Sequence, residues 1–115
     1  FLHIHSGFLP KYRGSTTVYY SLLNEGNCGV TAILLKPEID NGDIVSRRKY
    51  PAPPSGLDLD HIYDNAIRAD LLSEVLAEWI ENQEFKEFIK QDESESETYY
   101  VIHPVLKHLA ILSLR

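Results

Sequence analysis

Phe1, His3 and His5 alternate with Leu2 and Ile4, a period of two that predicts a strand over Phe1–His5 with both imidazoles on one face. Ser6, Gly7 and Pro10 end that strand, and Lys11, Tyr12 and Arg13 follow as a polar cluster closed by Gly14. Ser15 or Thr16 is placed to cap a helix over Val18–Asn24, with Val18, Tyr19, Leu22 and Leu23 inward and Gly26 as its stop. The β-branched, apolar run Cys28–Leu35 predicts a buried strand. Pro37 ends it, Glu38–Asp43 turns on Asn41-Gly42, and Ile44–Tyr50 returns as an edge strand whose later positions are charged. Pro51–Gly56 reads as a stiff, extended loop.

From Leu57 to Phe88 the period changes to that of a helix. Asp58 or Asp60 caps it, and Ile62, Ala66, Ala69, Leu72, Leu76, Trp79 and Ile80 recur at helical spacing as the expected core face. Gln91–Thr98 is acidic and Ser-rich, a solvated loop. Tyr99–Ile102 predicts a short strand, and Pro104 starts a last helix through Leu114. Together these elements give an α/β fold in which Phe1–His5, Cys28–Leu35 and Ile44–Tyr50 share one mixed sheet, the last two as an antiparallel hairpin, with the long helix on a face. Such sheets place their sites at strand carboxyl ends, which is where His5 and the following loop fall.

Length and charge narrow the functional classes. A chain of 115 residues is one domain at most. Its 11 basic against 17 acidic residues leave a net charge of −6, which argues against tRNA or another polyanion as the main partner. The dense basic clusters are Lys11 with Arg13, and Arg47, Arg48 and Lys49. A single Cys28 forms no internal disulfide and fits the reducing cytoplasm. No apolar run approaches the roughly 20 residues of a membrane span.

HIHSGFLPKYRG followed by GVTAILLKPEIDNGDI resembles the paired signature of the folate-dependent formyltransferases, N-x-H-x-S/G-x-L-P-x-Y/W-R-G and then G-x-(S/T)…(L/I)-D-x-G-D/P. That family formylates glycinamide ribonucleotide, the methionyl initiator tRNA, or amino groups on nucleotide-linked sugars. The resemblance covers about Phe1–Tyr50 and departs at one position, where the family's asparagine is His3. It implies a Rossmann-like catalytic domain of which this chain is the carboxyl-terminal half: residues 1–90 the body of that half, residues 91–115 an acidic loop, strand and helix of the same domain. The chain opens inside a strand and contains no Met, and in the family a βαβα half precedes the first motif; a longer parent chain is therefore expected.

The chemistry implied is formyl transfer from 10-formyltetrahydrofolate to a primary amine. Such a reaction needs a group to stabilise an oxyanion and a group to handle the amine's proton. By resemblance, His5 is the catalytic histidine and Asp40 the carboxylate that favours its charged form. His3 stands where an asparagine amide would donate to the formyl oxygen, a role an imidazole N–H can also fill. Glu38, Ile39, Asn41, Gly42 and Asp43 are expected to line the folate pocket; Ser6, Gly7 and Arg13 are expected against the amine substrate, with no metal. Each has a plainer reading: Asp40 as a turn former, His3 as filler, Arg13 as a loop support. Trp79 reads as core and Cys28 as a small buried hydrophobe. A small nucleotide-linked amine, an amino sugar or glycinamide ribonucleotide, suits the acidic chain. Two other classes stay open: a non-catalytic member of the family, and a metal-dependent hydrolase built on the His-x-His strand.

Overall fold

The structure, a computed structural model, describes residues 1–35, 42–85, 88–91 and 93–114. Its elements in order are β1 (Leu2–Ser6), β2 (Tyr12–Gly14), α1 (Thr17–Glu25), β3 (Asn27–Leu34) and β4 (Asp43–Pro51). A π-helical turn (Leu59–Tyr63) then leads into α2 (Asp64–Asn82), and a 3-10 turn (Glu93–Glu95), β5 (Glu97–Tyr99) and α3 (Pro104–Leu112) follow.

The three expected strands do form one sheet, in the order β1-β3-β4, and the expected hairpin is β3-β4. Neighbours in it are antiparallel, with His3 opposite Ile33, His5 opposite Thr31, and Thr31 opposite Arg47. Parallel pairing enters in a second sheet, where β2 lies beside β5. Residues directly opposite share a face, so His3, His5, Gly29, Thr31, Ile33, Arg47 and Lys49 face one side. Leu2, Ile4, Cys28, Val30 and Ala32 face the other, where they join the core with Ile67, Leu71 and Val75 of α2. The pairing register shifts between Ala32 and Ile33, a bulge that lets consecutive Ile44 and Val45 both be buried, Ile44 with Leu9 and Ile33 and Val45 with the α2 core.

Helix termini follow the sequence signals with differences of cause. Gly26 ends α1 in the left-handed region (φ 71°), its N–H bonded to Leu22 O, as expected of a glycine stop. Thr16 does precede α1, but it is itself left-handed and makes no side-chain cap bond; its hydroxyl instead accepts from Ile102 N–H at 3.0 Å and so ties α1 to the segment before α3. Asp58 caps the long helix by accepting from His61 N–H at 3.1 Å. His103 caps α3, with Pro104 in its first turn.

Four expectations need correction. The long helix stops at Asn82 rather than Phe88, with Gln83 left-handed as its cap. Its buried stripe is Leu59, Ile67, Leu71 and Val75, whereas Ile62, Leu76, Trp79 (42% exposed) and Ile80 (73%) lie outside the core. Both stripes have helical spacing, and the one through Ile67, Leu71 and Val75 is the one that packs on the sheet. Trp79 packs against Phe85, ring centroids 5.0 Å apart, instead of entering the core. The last strand begins two residues earlier, at Glu97, inside the segment expected to be solvated loop, because β2 offers it a partner. Tyr100 and Val101, expected in that strand, are exposed beyond it.

Candidate functional site

The site is a corner at the carboxyl end of β1, where the chain leaves the sheet and doubles back across the face that carries the imidazoles. Thr31, fully buried on β3, pins the crossing segment twice: its hydroxyl donates to Gly7 O at 2.7 Å and accepts from Leu9 N–H at 3.0 Å. Leu9 then packs on Ile33 and Ile44. The close approach requires Gly29, since a Cβ there would stand 2.6 Å from Phe8 Cβ.

His5 is 5% exposed, and its Nε2 lies 2.8 Å from Tyr12 O. His3 is partly buried on the same face, the two ring centroids 6.4 Å apart. Ser6 is engaged on both sides, its hydroxyl donating to Asp64 Oδ1 and its carbonyl accepting from Thr17 Oγ1. Gly7 is buried with φ 150°, and a Cβ would overlap Tyr12 O, His5 Nε2 and Thr17 Oγ1. A cavity of about 240 Å³ opens here, lined by His5, Ser6, Thr17, Tyr19, Asp60 and Asp64.

Charge around this cavity is balanced by specific pairs. Burial opposes ionisation of Asp60, but the Tyr19 hydroxyl at 2.7 Å and the Lys107 ammonium at 3.0 Å outweigh it and hold the carboxyl below its ordinary range. Burial and then Asp60 push the Tyr19 phenol up. Asp64 pairs with Arg68 at 3.1 Å.

The expected residues divide into groups. His3, His5, Ser6 and Gly7 are brought together. Arg13 lies on β2 with its Nε and Nη2 buried and unpartnered among the described residues. Gly42 directly precedes β4 and Asp43 opens it opposite Leu34, with Gly42 O accepting from Gln91 Nε2 at 2.8 Å. Glu38, Ile39, Asp40 and Asn41 lie outside the described residues. Thr31 was visible in sequence as the S/T of the second motif. Thr17 and Asp64 carried no signal, standing 11 and 58 residues from Ser6.

A second cleft of about 450 Å³ lies on the outer side of the loop, lined by Phe8, Lys11, Glu25, Arg47, Lys49 and Glu95 among others. Glu25 draws Lys49 to 3.3 Å and Lys11 to 3.7 Å. On the opposite face of β4, Arg48 is taken by Glu74 at 2.6 Å. Three of the five cations in the basic clusters thus stand beside internal carboxylates, while Arg47 donates to Leu9 O at 2.7 Å. Among the described residues no group of three or more His, Cys, Asp or Glu stands together as a metal site, and no helix is long and apolar enough to cross a membrane.

An α/β domain with a strand-end histidine under a pinned loop is the class that fold and site define. The chain belongs to the formyl transferase family, whose model, described as Formyl transferase, matches residues 1–77. It is 33% identical over 97 residues to a methionyl-tRNA formyltransferase of Lactiplantibacillus plantarum, covering 82% of this chain and 30% of that protein. It superposes with a TM-score of 0.68 and 27% identity on an N-formyltransferase from Helicobacter canadensis solved with folinic acid and dTDP-3-aminofucose, covering 86% of this chain and 37% of that one. A 4-N formyltransferase from Francisella tularensis shares the fold with a TM-score of 0.70 at 22% identity, covering 97% of this chain and 51% of that one. The chain spans between 16% and 33% of the length of the first curated relatives it matches. Family membership leaves the metal-dependent hydrolase reading without support.

Proposed function

We propose that the protein to which this chain belongs transfers a formyl group from 10-formyltetrahydrofolate to a primary amine of a small nucleotide-linked substrate, an amino sugar or glycinamide ribonucleotide. The observation that carries this reading is His5, buried at the end of β1 with its ring on the Tyr12 carbonyl, inside a match to the family. The donor side fits what is present. Gly42 runs so close to Leu34 that a Cβ would overlap Leu34 O, leaving main-chain groups rather than a side chain at this edge. His3, partly buried, stands opposite Ile33, the residue before Leu34, so main-chain groups and a ring lie along this edge, surfaces that a flat heterocycle can pair with. Gly42 and Asp43, with Glu38, Ile39 and Asn41, would hold it.

Bound there, 10-formyltetrahydrofolate supplies a formyl carbon open to attack by an amine. His5 would carry the charge and proton work: its imidazolium donates to the oxygen that becomes negative, and its neutral form accepts the proton that the attacking amine loses, which then goes to N10, the nitrogen that departs as the old formyl C–N bond breaks and the new one forms. His3, 6.4 Å away between ring centroids, serves as a second donor on the same face in place of the family's amide. Asp40 favours the imidazolium, and Ser6, Gly7 and Arg13 bound the amine's approach. The cytoplasm is the compartment that suits a buried, unpaired Cys28.

The small substrate is preferred to tRNA because the chain is acidic, with a net charge of −6, and Lys11, Lys49 and Arg48 each stand beside an internal carboxylate. The names of the curated relatives favour tRNA as the second reading. Assays of the full-length protein with aminated dTDP- and UDP-sugars, glycinamide ribonucleotide and methionyl initiator tRNA distinguish them. His5→Ala should lower kcat by about 10²–10⁴-fold with donor binding kept within a few fold. Near-parental turnover by that variant would refute the reading.

A further inference from the structure

Besides Thr31, the corner that carries His5 is held by groups outside the two sequence motifs, and its geometry decides which ring nitrogen bears the proton. A carbonyl oxygen only accepts, so the 2.8 Å contact between His5 Nε2 and Tyr12 O places the proton on Nε2. The neutral ring then has its lone pair on Nδ1. That contact exists because the chain reverses after Ser6 and returns the Tyr12 carbonyl to the ring seven residues later. Two helices set the reversal. Thr17, buried at the first residue of α1, donates Oγ1–H to Ser6 O. Asp64, the first residue of α2, accepts from the Ser6 hydroxyl and is itself paired with Arg68. Gly7 shows how closely these parts converge: a Cβ would be 2.6 Å from Tyr12 O, 2.8 Å from His5 Nε2 and 2.9 Å from Thr17 Oγ1.

We propose that Thr17 and Asp64 are positioning residues for His5. By fixing the Ser6–Gly7 corner they keep the Tyr12 carbonyl on Nε2 and hold the ring in place for its proton work. His5 has that task only if the formyl-transfer reading holds; which nitrogen is protonated does not depend on turnover. Without the clamps the carbonyl leaves the ring and both tautomers are populated. Displacements of about 1 Å at a reacting group can cost about 10²-fold in rate, so the loss should fall on kcat.

The test is nitrogen-15 NMR of the His5 ring, with steady-state kinetics, on the full-length protein at a pH where the ring is neutral. The parent should show the proton on Nε2. Thr17→Val, which keeps shape and removes the hydroxyl, should bring up the second tautomer and lower kcat by about 10–10²-fold with KM little changed. Thr17→Ser should restore both, and Asp64→Ala should behave like Thr17→Val. A parent protonated on Nδ1 overturns the proposal, as does a folded Thr17→Val with unchanged ring signals and kcat. Should Thr17→Val unfold, Asp64→Ala decides; unfolding of both also overturns it, because positioning requires a fold that survives the change. A parent with the proton on Nε2 but no transfer to any offered amine would sink the functional reading and leave the tautomer assignment standing.

Discussion

Replacing Gly29 by alanine tests whether the loop over the imidazole face is pinned where its hydrogen bonds place it. A Cβ at Gly29 would stand 2.6 Å from Phe8 Cβ, 2.8 Å from Phe8 N and 3.1 Å from Phe8 Cα. Carbon atoms pack at about 3.5–4.0 Å, so Phe8 must withdraw by about 1 Å. All three obstructing atoms are main chain or the first side-chain carbon, and no rotamer change relieves the overlap. The same withdrawal stretches the 3.0 Å bond from Leu9 N–H to Thr31 beyond useful length. Overpacking costs about 1–3 kcal/mol and the lost bond about 0.5–1.5 kcal/mol, which gives about 2–4 kcal/mol. At roughly 4 °C per kcal/mol for a chain of this size, Tm should fall by about 8–16 °C. Gly26→Ala is the control: its φ is 71° but nothing lies within 4 Å of the added carbon. It should cost only the left-handed backbone strain of about 1–2 kcal/mol. Thermal unfolding by circular dichroism reads both. If Gly29→Ala melts within about 2 °C of the parent, or falls no further than Gly26→Ala, the loop is not held against β3 and the account of the corner fails.

Thr31→Val leaves Gly7 O and Leu9 N–H without their partner and should cost about 2–5 kcal/mol in denaturant titration; a loss below about 0.5 kcal/mol would contradict the double pinning. Leu71→Ala, fully buried, should cost about 2–5 kcal/mol, and Leu76→Ala on the outer stripe under about 1 kcal/mol; the reverse order would return the sheet-facing role to the outer stripe. Burial pushes the Cys28 thiol up to about 12, and burial followed by Asp70 and Glu97 does the same for Tyr50 and Tyr99. The unfolded chain therefore releases these protons first, from about pH 8.5 for the thiol and about 10 for the phenols. Stability should be full below that range and fall as pH rises towards 12, so a Tm at pH 10.5 no lower than at pH 7.5 would oppose the shifts. His3→Asn, restoring the family's amide, should keep or raise kcat in the full-length protein; a large loss would mean that the imidazole does something an amide cannot.

The parts of the fold legible in sequence are those written in one short stretch. β1 follows from period two and β3 from its β-branched, apolar run, and α1 ends at Gly26 because one left-handed residue suffices. The long helix was legible as a helix but not in its orientation. Its sequence carries two apolar stripes, one through Ile67, Leu71 and Val75 and one through Leu72, Leu76, Trp79 and Ile80. Periodicity reports that a helix has a face, while the shape of the sheet chooses between two. β5 was missed in part for a related reason: Glu97 has little strand character of its own, Thr98 stands alone at the end of an acidic run, and both pair because β2 lies alongside.

The site divides along the same line. His3, His5 and the loop through Gly14 sit within 14 residues, so their chemistry and order are visible together in the chain. The groups that orient them are not. Thr17 reaches Ser6 from the start of one helix and Asp64 from the start of another, and neither spacing means anything until both helices are packed. A reactive residue is marked by its own type and neighbours, whereas a positioning residue is marked only by what it touches. Thr31 is the intermediate case. It belongs to the second motif, yet its function as the double pin of the Gly7–Leu9 segment is a property of the register that sets it opposite His5. Shifting that register by one residue would turn Thr31 towards α2 and put a core residue under the loop. The motif's threonine and the strand pairing therefore have to be read together, and the same register that buries Val30 and Ala32 against the helix is what delivers Thr31 to the site.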